Sequence, residues 1–300
     1  MRKFNLSKKE KMFDSKMLTS FVIKSSLCKY SNMKIGGKAT YLLAPHSLSD
    51  LSSILVEANS LGLKILPVGG GSNILFGNVG NRVIILDAYL PELFEVDNET
   101  VIASSNQKIS SFIDMCAQYE LGGLEFIAGI PAHIGGAIHM NAGAFGKCIF
   151  DYLLWVEYID KHGKINKIDF KSIKFGYRTT SIDGFITKAA FNMEKKTKEQ
   201  IIADKKDIIS KRLERHPYDY PSLGSTFKNP AGKYAGKLIE ECGLKGLQQG
   251  GAEISKKHAN FIINKGSATF EEVIELINII QETVSREKGI NLELEVKVIN

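Results

Sequence analysis

Between Gly129 and Gly146 the chain reads GIPAHIGGAIHMNAGAFG, eighteen residues with no Lys, Arg, Asp or Glu and so much Gly and Ala that they cannot fill a core by themselves. Something else must lie against this segment. Glycine has no Cβ and takes positive φ without strain, so a Gly/Ala run lets backbone amides come close to a flat or anionic ligand. A second loop of the same character, VGGGSN from Val68 to Asn73, precedes it. Two separated backbone cradles in one chain fit a large ligand with both a phosphate part and a planar part.

The chain has 300 residues with 44% hydrophobic content, enough for one large domain or two to three smaller ones. Its net charge of +6 is spread along the sequence, densest in the first residues and around Lys205 to Arg215. The ordinary reading of that charge is a solvated basic surface, which also helps an anionic substrate approach. No nucleic-acid module is present, so no nucleic-acid partner is expected. Cys28, Cys116, Cys148 and Cys242 lie far apart, in the pattern of a reducing compartment, and the six histidines have no zinc spacing, so no metal is expected. Met1 to Lys16 is charged and no long apolar segment follows, so neither a signal peptide nor a membrane span is expected. A cytoplasmic protein with a frayed leader, residues 1–18, is the expectation.

Apolar residues recur at helical spacing from Ser47 to Gly62, then KILPV enters the first glycine loop and RVIIL follows as a second strand, a βαβ-like opening. The loop lacks the third glycine of G-x-G-x-x-G and no helix pattern follows it, which disfavours a Rossmann site; no GK[ST] occurs either. A hairpin at Asp97-Asn98, a helix from about Asn106 to Glu120, and antiparallel strands LLWVEYID, KINKIDF and FITKAAFNM complete an α+β first part. Thr197 with Gln200, and Thr269 with Glu272, match capping boxes of two long helices. Between them come a proline-punctuated loop, a short helix near Lys233 to Cys242 and a strand HANFIIN; NLELEVKVI reads as a final strand. A boundary is expected near Lys195.

Three polar constellations stand out by spacing. In FGYRTTS, Arg178 follows an apolar strand edge and can offer a planar bidentate cation to a carboxylate or phosphate, or simply be an exposed strand-end arginine. In PSLGSTFKNP, Ser225 sits in a proline-bracketed loop, where a serine is ordinarily a turn residue. Along the terminal strand, Leu292, Leu294, Val296 and Val298 share one face and Glu293, Glu295 and Lys297 the other; alternation does not choose between the two glutamates. G-S-T-F is not G-x-S-x-G, so acyl transfer by Ser225 is disfavoured.

Taken in order, KIGGKA (Lys34 to Ala39), VGGGSN, GIPAHIGGAIHMNAGAFG, FGYR, PSLGSTFKNP, AGKLIEECGLKGLQQGGAEISKKHANFIIN and LELEV resemble the blocks of the UDP-N-acetylenolpyruvoylglucosamine reductases over nearly the whole chain. The glycine loops are shared with other flavin oxidases; the combination with Arg178, the Ser225 loop and LELEV is specific. The resemblance implies an α+β fold: two FAD-binding subdomains of the vanillyl-alcohol-oxidase-like (PCMH-type) group, at 19–88 and 89–195, and a C-terminal α+β substrate-binding domain at 196–300. It implies NADPH-dependent, FAD-mediated reduction of a nucleotide-sugar enolpyruvyl ether for bacterial cell-wall synthesis by a monomeric enzyme with no membrane partner. It assigns catalysis to Arg178, to Ser225 as proton donor and to Glu295 rather than Glu293. It assigns FAD contacts to Gly69, Gly70, Gly71, Ser72, Asn73, Gly129, Ile130, Pro131, Gly135, Gly136, Asn141, Ala142, Gly143 and Ala144. Substrate contacts fall to Tyr177, Arg212, Lys228 and Asn229, with Arg215 a nearby alternative to Arg212 and Lys228 a possible relay for Ser225.

Three positions depart from the family pattern: Ala132 for the usual Gly after GIP, Thr180 for Ser, and His216-Pro217 for Gln-Pro. Ala132 matters only if that position needs positive φ. Six residues separate Arg178 from FITKAAF, too few for the tyrosine-bearing insertion of one subtype, so the resemblance is to the second subtype. A flavin oxidase of small alcohols or sugars would share the glycine loops without needing Ser225 or Glu295. A nonenzymatic binding protein whose Gly/Ala segment packs on another subunit is the rival from outside enzymes.

Overall fold

The computed structural model describes residues 16–23, 25–80 and 82–300. They form two compact units: unit 1 contains the described residues up to Ser25, Ala39–Gly69 and Gly80–Lys205, and unit 2 contains Ser26–Lys38, Gly70–Val79 and Lys206–Asn300. The expected leader lies outside the described residues as far as Ser15. Its last three residues lie in helix α1 (Lys16–Ser20), where Leu18 is fully buried in the core.

In unit 1, β1 (Tyr41–Leu43), α2 (Leu48–Ser60), β2 (Lys64–Val68) and β3 (Arg82–Leu86) give a parallel sheet in the order β1-β3-β2. Helix α2 starts where Ser47 Oγ accepts from Asp50 N at 3.0 Å, and it buries Leu51, Ile54, Leu55 and Ala58, one stripe at helical spacing. These side chains pack with Leu43, Val83 and Ile85. A second sheet is antiparallel throughout: β4 (Phe94–Asp97), β5 (Thr100–Ser104), β6 (Leu153–Ile159), β7 (Ile165–Asp169) and β8 (Phe185–Asn192), in the order β7-β6-β8-β5-β4. Helix α3 runs only from Ile109 to Gln118 rather than from Asn106, because residues 105–107 are tied as a loop: Ser105 O and Gln107 O accept from Gly135 N and Ile134 N. Helix α4 (Ile134–His139) lies inside the Gly/Ala segment.

Helix α5 (Lys198–Arg215) opens on the expected reciprocal cap: Gln200 N donates to Thr197 Oγ1 (3.3 Å) and Thr197 N to Gln200 Oε1 (3.2 Å). Unit 2 then holds α6 (Ala235–Glu241) and α7 (Phe270–Lys288), the latter with a complete Thr269/Glu272 capping box and a left-handed Gly289 at its end. Short antiparallel strands Gln248–Gln249, Ala252–Ile254 and Ile262–Asn264 form its sheet, and Lys297–Ile299 pairs in parallel with Ile74–Phe76. That pairing, with Asn32 N donating to Gly71 O and Asn264 Nδ2 to Met33 O, explains why residues 26–38 and 70–79 cluster with the C-terminal residues. Leu276, Ile277, Ile280 and Val284 of α7 centre the core of this unit.

Two expected strands are shorter. In HANFIIN only Ile262–Asn264 is strand, since Phe261 N turns back to His258 O. In NLELEVKVI the chain bends at Glu295 and Val296, whose amides both donate to Thr226 O, and strand pairing resumes only at Lys297. No helix among the described residues is long and apolar enough to cross a membrane.

Candidate active site

In unit 1 the Gly/Ala segment is laced to the loop after β5. Gly135 N donates to Ser105 O (2.8 Å), Ile134 N to Gln107 O (2.9 Å) and Ile109 N to Ala132 O (3.1 Å). The approach at Gly135 is so close that an added Cβ would stand 2.8 Å from Ser105 Cβ, whereas a Cβ on exposed Gly136 would meet nothing within 4 Å. Ala132 is not among the positive-φ residues, so the alanine there is accommodated. Gly129 does take positive φ, at 82°, turning the chain into the exposed Pro131 through half-buried Ile130. Ala142 is buried, and Gly143–Ala144 pairs with Lys147–Cys148 as a tight hairpin.

Around this segment, four buried side-chain atoms have no hydrogen-bond partner: Ser105 Oγ, Asn106 Oδ1, Gln107 Oε1 and Asn141 Oδ1. Buried polar atoms are almost always satisfied, so four orphans along one cradle mark a place built for something else. Three of these residues sit in the ASSNQ stretch, Ala103 to Gln107, which sequence reasoning passed over as a helix start. The available signal was four successive polar residues directly after an apolar strand.

Arg178 stands in the turn of a small hairpin, Phe175–Gly176 against Thr179–Thr180, with left-handed φ of 60°. Such a backbone is costly for a residue with a Cβ and persists where surroundings impose it. The Gly/Ala segment supplies part of that constraint: Asn141 Nδ2 donates to Gly176 O (3.0 Å) and Arg178 Nη2 to Gly143 O (3.4 Å). The guanidinium lies 4.9 Å from the ring centre of Tyr177. The structure therefore brings Arg178 and Tyr177 to the predicted cofactor residues 141–143. Gly69, at the end of β2, faces a buried hydrogen-bonded pair, His133 Nδ1 to Asp87 Oδ1 at 2.8 Å. Burial raises the Asp87 carboxyl above its usual range, against the opposing pull of the imidazole.

In unit 2, Gly71 (φ 62°) is required by its own surroundings, since a Cβ there would overlap the Tyr30 carbonyl. Asn73 is occupied at both ends, Nδ2 donating to Glu295 O (3.0 Å) and its carbonyl accepting from Lys297 N (2.9 Å). Gly70 and Ser72 complete that loop.

Half-buried Ser225 follows Gly224 (φ 78°) in a loop held by Asn260, which is 3% exposed. Asn260 O accepts from Thr226 N, Asn260 Oδ1 from Phe227 N (3.0 Å), and Asn260 Nδ2 donates to Phe227 O (2.8 Å). On its other side Thr226 O accepts from Glu295 N (2.9 Å), so Ser225 and Glu295 are carried on adjoining backbone. The same bend sends Glu293 outward, its side chain 77% exposed and paired with Lys228 Nζ at 3.2 Å. Geometry thus separates two glutamates that alternation leaves equivalent, and it engages Lys228 with the outer one. Asn229 Oδ1 caps α6 by accepting from Ala235 N (3.0 Å). Asn260 is a residue that sequence reasoning missed; an asparagine inside HANFIIN was its signal.

Arg212 is half-buried beside Tyr218, whose hydroxyl it bonds, while Arg215 is exposed. His216 stacks on Phe261 (4.8 Å between centroids) and meets His258 edge-on. Burial first, then His258 and the cations Arg212, Arg215 and Lys257, push the His216 imidazole down to about 4.

Comparison with known proteins covers both units. Residues 39–169 match a family model described as an FAD binding domain, and residues 216–299 match the C-terminal domain of UDP-N-acetylenolpyruvoylglucosamine reductase. The chain is 37% identical over 280 residues to the UDP-N-acetylenolpyruvoylglucosamine reductase of Moorella thermoacetica, with 91% of each chain aligned. It is 39% identical over 269 residues to that of Oceanobacillus iheyensis, covering 89% of this chain and 88% of the relative. The crystal structure of UDP-N-acetylenolpyruvylglucosamine reductase from Thermus caldophilus superposes with a TM-score of 0.80 at 30% identity, over 93% of this chain and 99% of that one.

Proposed function

Since the chain belongs to the UDP-N-acetylenolpyruvoylglucosamine reductase family, we propose that it reduces UDP-N-acetylglucosamine enolpyruvate to UDP-N-acetylmuramate, a peptidoglycan precursor, with NADPH as reductant and FAD as its cofactor. The observation that carries the flavin reading is the set of orphaned atoms on the cradle. Three of them, Asn106 Oδ1, Gln107 Oε1 and Asn141 Oδ1, are acceptors, and Ser105 Oγ can accept as well. FAD fits this set, because its ring N–H, ribityl hydroxyls and adenine amino group are donors. The backbone at Gly136, where an added Cβ would meet nothing within 4 Å, leaves room for a flat ring, while Gly135 closes the segment against Ser105. Residues 19–88 and 89–195 are proposed as the FAD-binding subdomains and 196–300 as the substrate-binding domain.

When bound, FAD supplies hydride transfer from NADPH to the terminal carbon of the enolpyruvyl double bond. The protein's own task is the charge and the proton. Negative charge develops on the carbon conjugated to the substrate carboxylate. Arg178, fixed in its strained turn, and Glu295, protonated or sharing a proton, would stabilise it. Ser225 Oγ then donates the proton that completes the C–H bond. Tyr177, Arg212, Lys228 and Asn229 are proposed to hold the nucleotide sugar, its diphosphate next to the cations. The short link from Arg178 to β8 fits the second subtype, without the tyrosine-bearing insertion. The enzyme is proposed to work in the cytoplasm as a monomer, with no nucleic-acid or membrane partner.

The test is direct. Purified protein is expected to be yellow, or to become so with FAD, and to oxidise NADPH only when UDP-N-acetylglucosamine enolpyruvate is added. A flavin-loaded protein that shows no substrate-dependent turnover overturns the assignment.

A further inference from the structure

Asp87 and His133 belong to none of the positions that the resemblance assigns, yet they meet at the point where the cradle is anchored. Asp87 directly follows β3, and His133 lies in the loop that leads into α4. The two are 5% and 7% exposed and joined by the 2.8 Å contact between Nδ1 and Oδ1. Gly69 is pressed against both: a Cβ added there would lie 3.1 Å from Asp87 Oδ2 and 3.4 Å from His133 Cβ. Three chain segments therefore converge on one imidazole–carboxylate contact, and two of them contain predicted flavin contacts, Gly69 and Gly135.

The backbone of this loop is already tied on one side. Ile109 N reaches Ala132 O, Ile134 N reaches Gln107 O, and Lys108 bridges to His133. Those bonds fix the loop to the orphan-bearing residues 105–107. They do not fix it to β3 or to Gly69; the imidazole–carboxylate contact does. A carboxylate this deeply buried is stable only with a partner, and truncating either member strands the other.

We propose that the Asp87–His133 pair is a positioning device for the flavin: it sets the spacing between Gly69 and the 129–136 cradle, so that the cradle is formed before the cofactor arrives. This rests on the FAD reading above. Pre-forming a site raises affinity because the loop is not ordered at the expense of binding.

Titration of FAD into apoprotein, followed by flavin fluorescence, together with the visible circular dichroism of the bound flavin, tests the proposal. Wild-type apoprotein must first bind FAD; if it does not, the flavin reading itself fails and the pair is not at issue. Given binding, His133→Phe keeps the ring's bulk without the hydrogen bond. It should leave the apoprotein folded by far-UV circular dichroism, weaken FAD binding at least tenfold and alter the flavin's visible dichroism. His133→Gln, whose amide can still donate to Asp87, should restore the affinity to within threefold and recover the spectrum. FAD affinity and spectrum in His133→Phe indistinguishable from wild type would overturn the proposal, as would a His133→Gln variant no better than His133→Phe. Should His133→Phe fail to fold, Asp87→Leu, which removes the acceptor for Nδ1–H at similar side-chain size, is read the same way: unchanged FAD affinity and dichroism overturn it.

Discussion

The cradle of unit 1 and the serine loop of unit 2 solve opposite problems. Around the Gly/Ala segment, backbone groups are bonded while Ser105, Asn106, Gln107 and Asn141 keep buried atoms without partners. Around Ser225 the polar groups are spent on the protein itself: Asn260 clamps Thr226 and Phe227, Thr226 holds Glu295, and Asn73 holds the Glu295 carbonyl. The first region leaves acceptors open, which the proposed flavin would complete. The second is finished structure that aims a few side chains. Binding and aiming therefore respond to different substitutions.

The sharpest separation comes from Ser225→Ala. Loss of the proposed proton donor should slow reoxidation of reduced flavin by substrate roughly 10³-fold, in the range of general acid catalysis, while reduction by NADPH stays within about twofold to threefold. Stopped-flow measurement of the two half-reactions decides it. Equal losses in both would remove Ser225 from that role. Asn260→Ala attacks the same loop through its clamp, leaving Phe227 N and O without their side-chain partner. A loss of about 2–3 kcal/mol in urea unfolding is expected, together with slower substrate reduction at unchanged FAD affinity. FAD affinity that falls in parallel would erase the contrast between the regions.

Acidity probes unit 2 next. The His216 ring is held to about 4 by burial and neighbouring cations, so the folded protein keeps it neutral where the unfolded chain, near 6.5, takes up a proton. The stability this gives is complete above pH ~6.5 and is lost as pH falls toward 4. For a half-buried, solvent-screened ring the loss should be about 1–2 kcal/mol. His258, also held low by burial, adds the same sign. His216→Gln should flatten part of the decline in urea midpoints between pH 7.5 and pH 5; an unchanged slope would contradict the assignment. The smallest effect is expected at the cradle. Ser105→Ala removes an unsatisfied buried hydroxyl, so the apoprotein should be as stable as wild type or up to about 1 kcal/mol more stable, yet bind FAD several-fold more weakly. Apoprotein melting and FAD titration, run side by side, report the two effects separately.

Much of this organisation is legible in the residues. Periodicity finds α2 and α7, the caps at Thr197 and Thr269 place their helices, and the antiparallel run from β6 to β8 reads directly from alternation. The motifs reach the family. What local pattern misses is equally specific. Residues 105–107 look like a helix start, and only the amides of Ile134 and Gly135, far along the chain, make them a loop. LELEV looks like a strand, and only the Thr226 carbonyl bends it and turns Glu293 outward.

The sequence by itself pointed to a large ligand lying against a bare backbone, and through its motifs to which family's residues are present. Tertiary structure alone decided which glutamate lies on the backbone next to Ser225, that Asn260 holds the loop, that buried acceptors line the cradle, and that Asp87 reaches His133. The reason is physical: helix and strand periods are set by neighbours along the chain, whereas a hydrogen bond between residues 46 or 33 positions apart exists only once the fold has closed the distance.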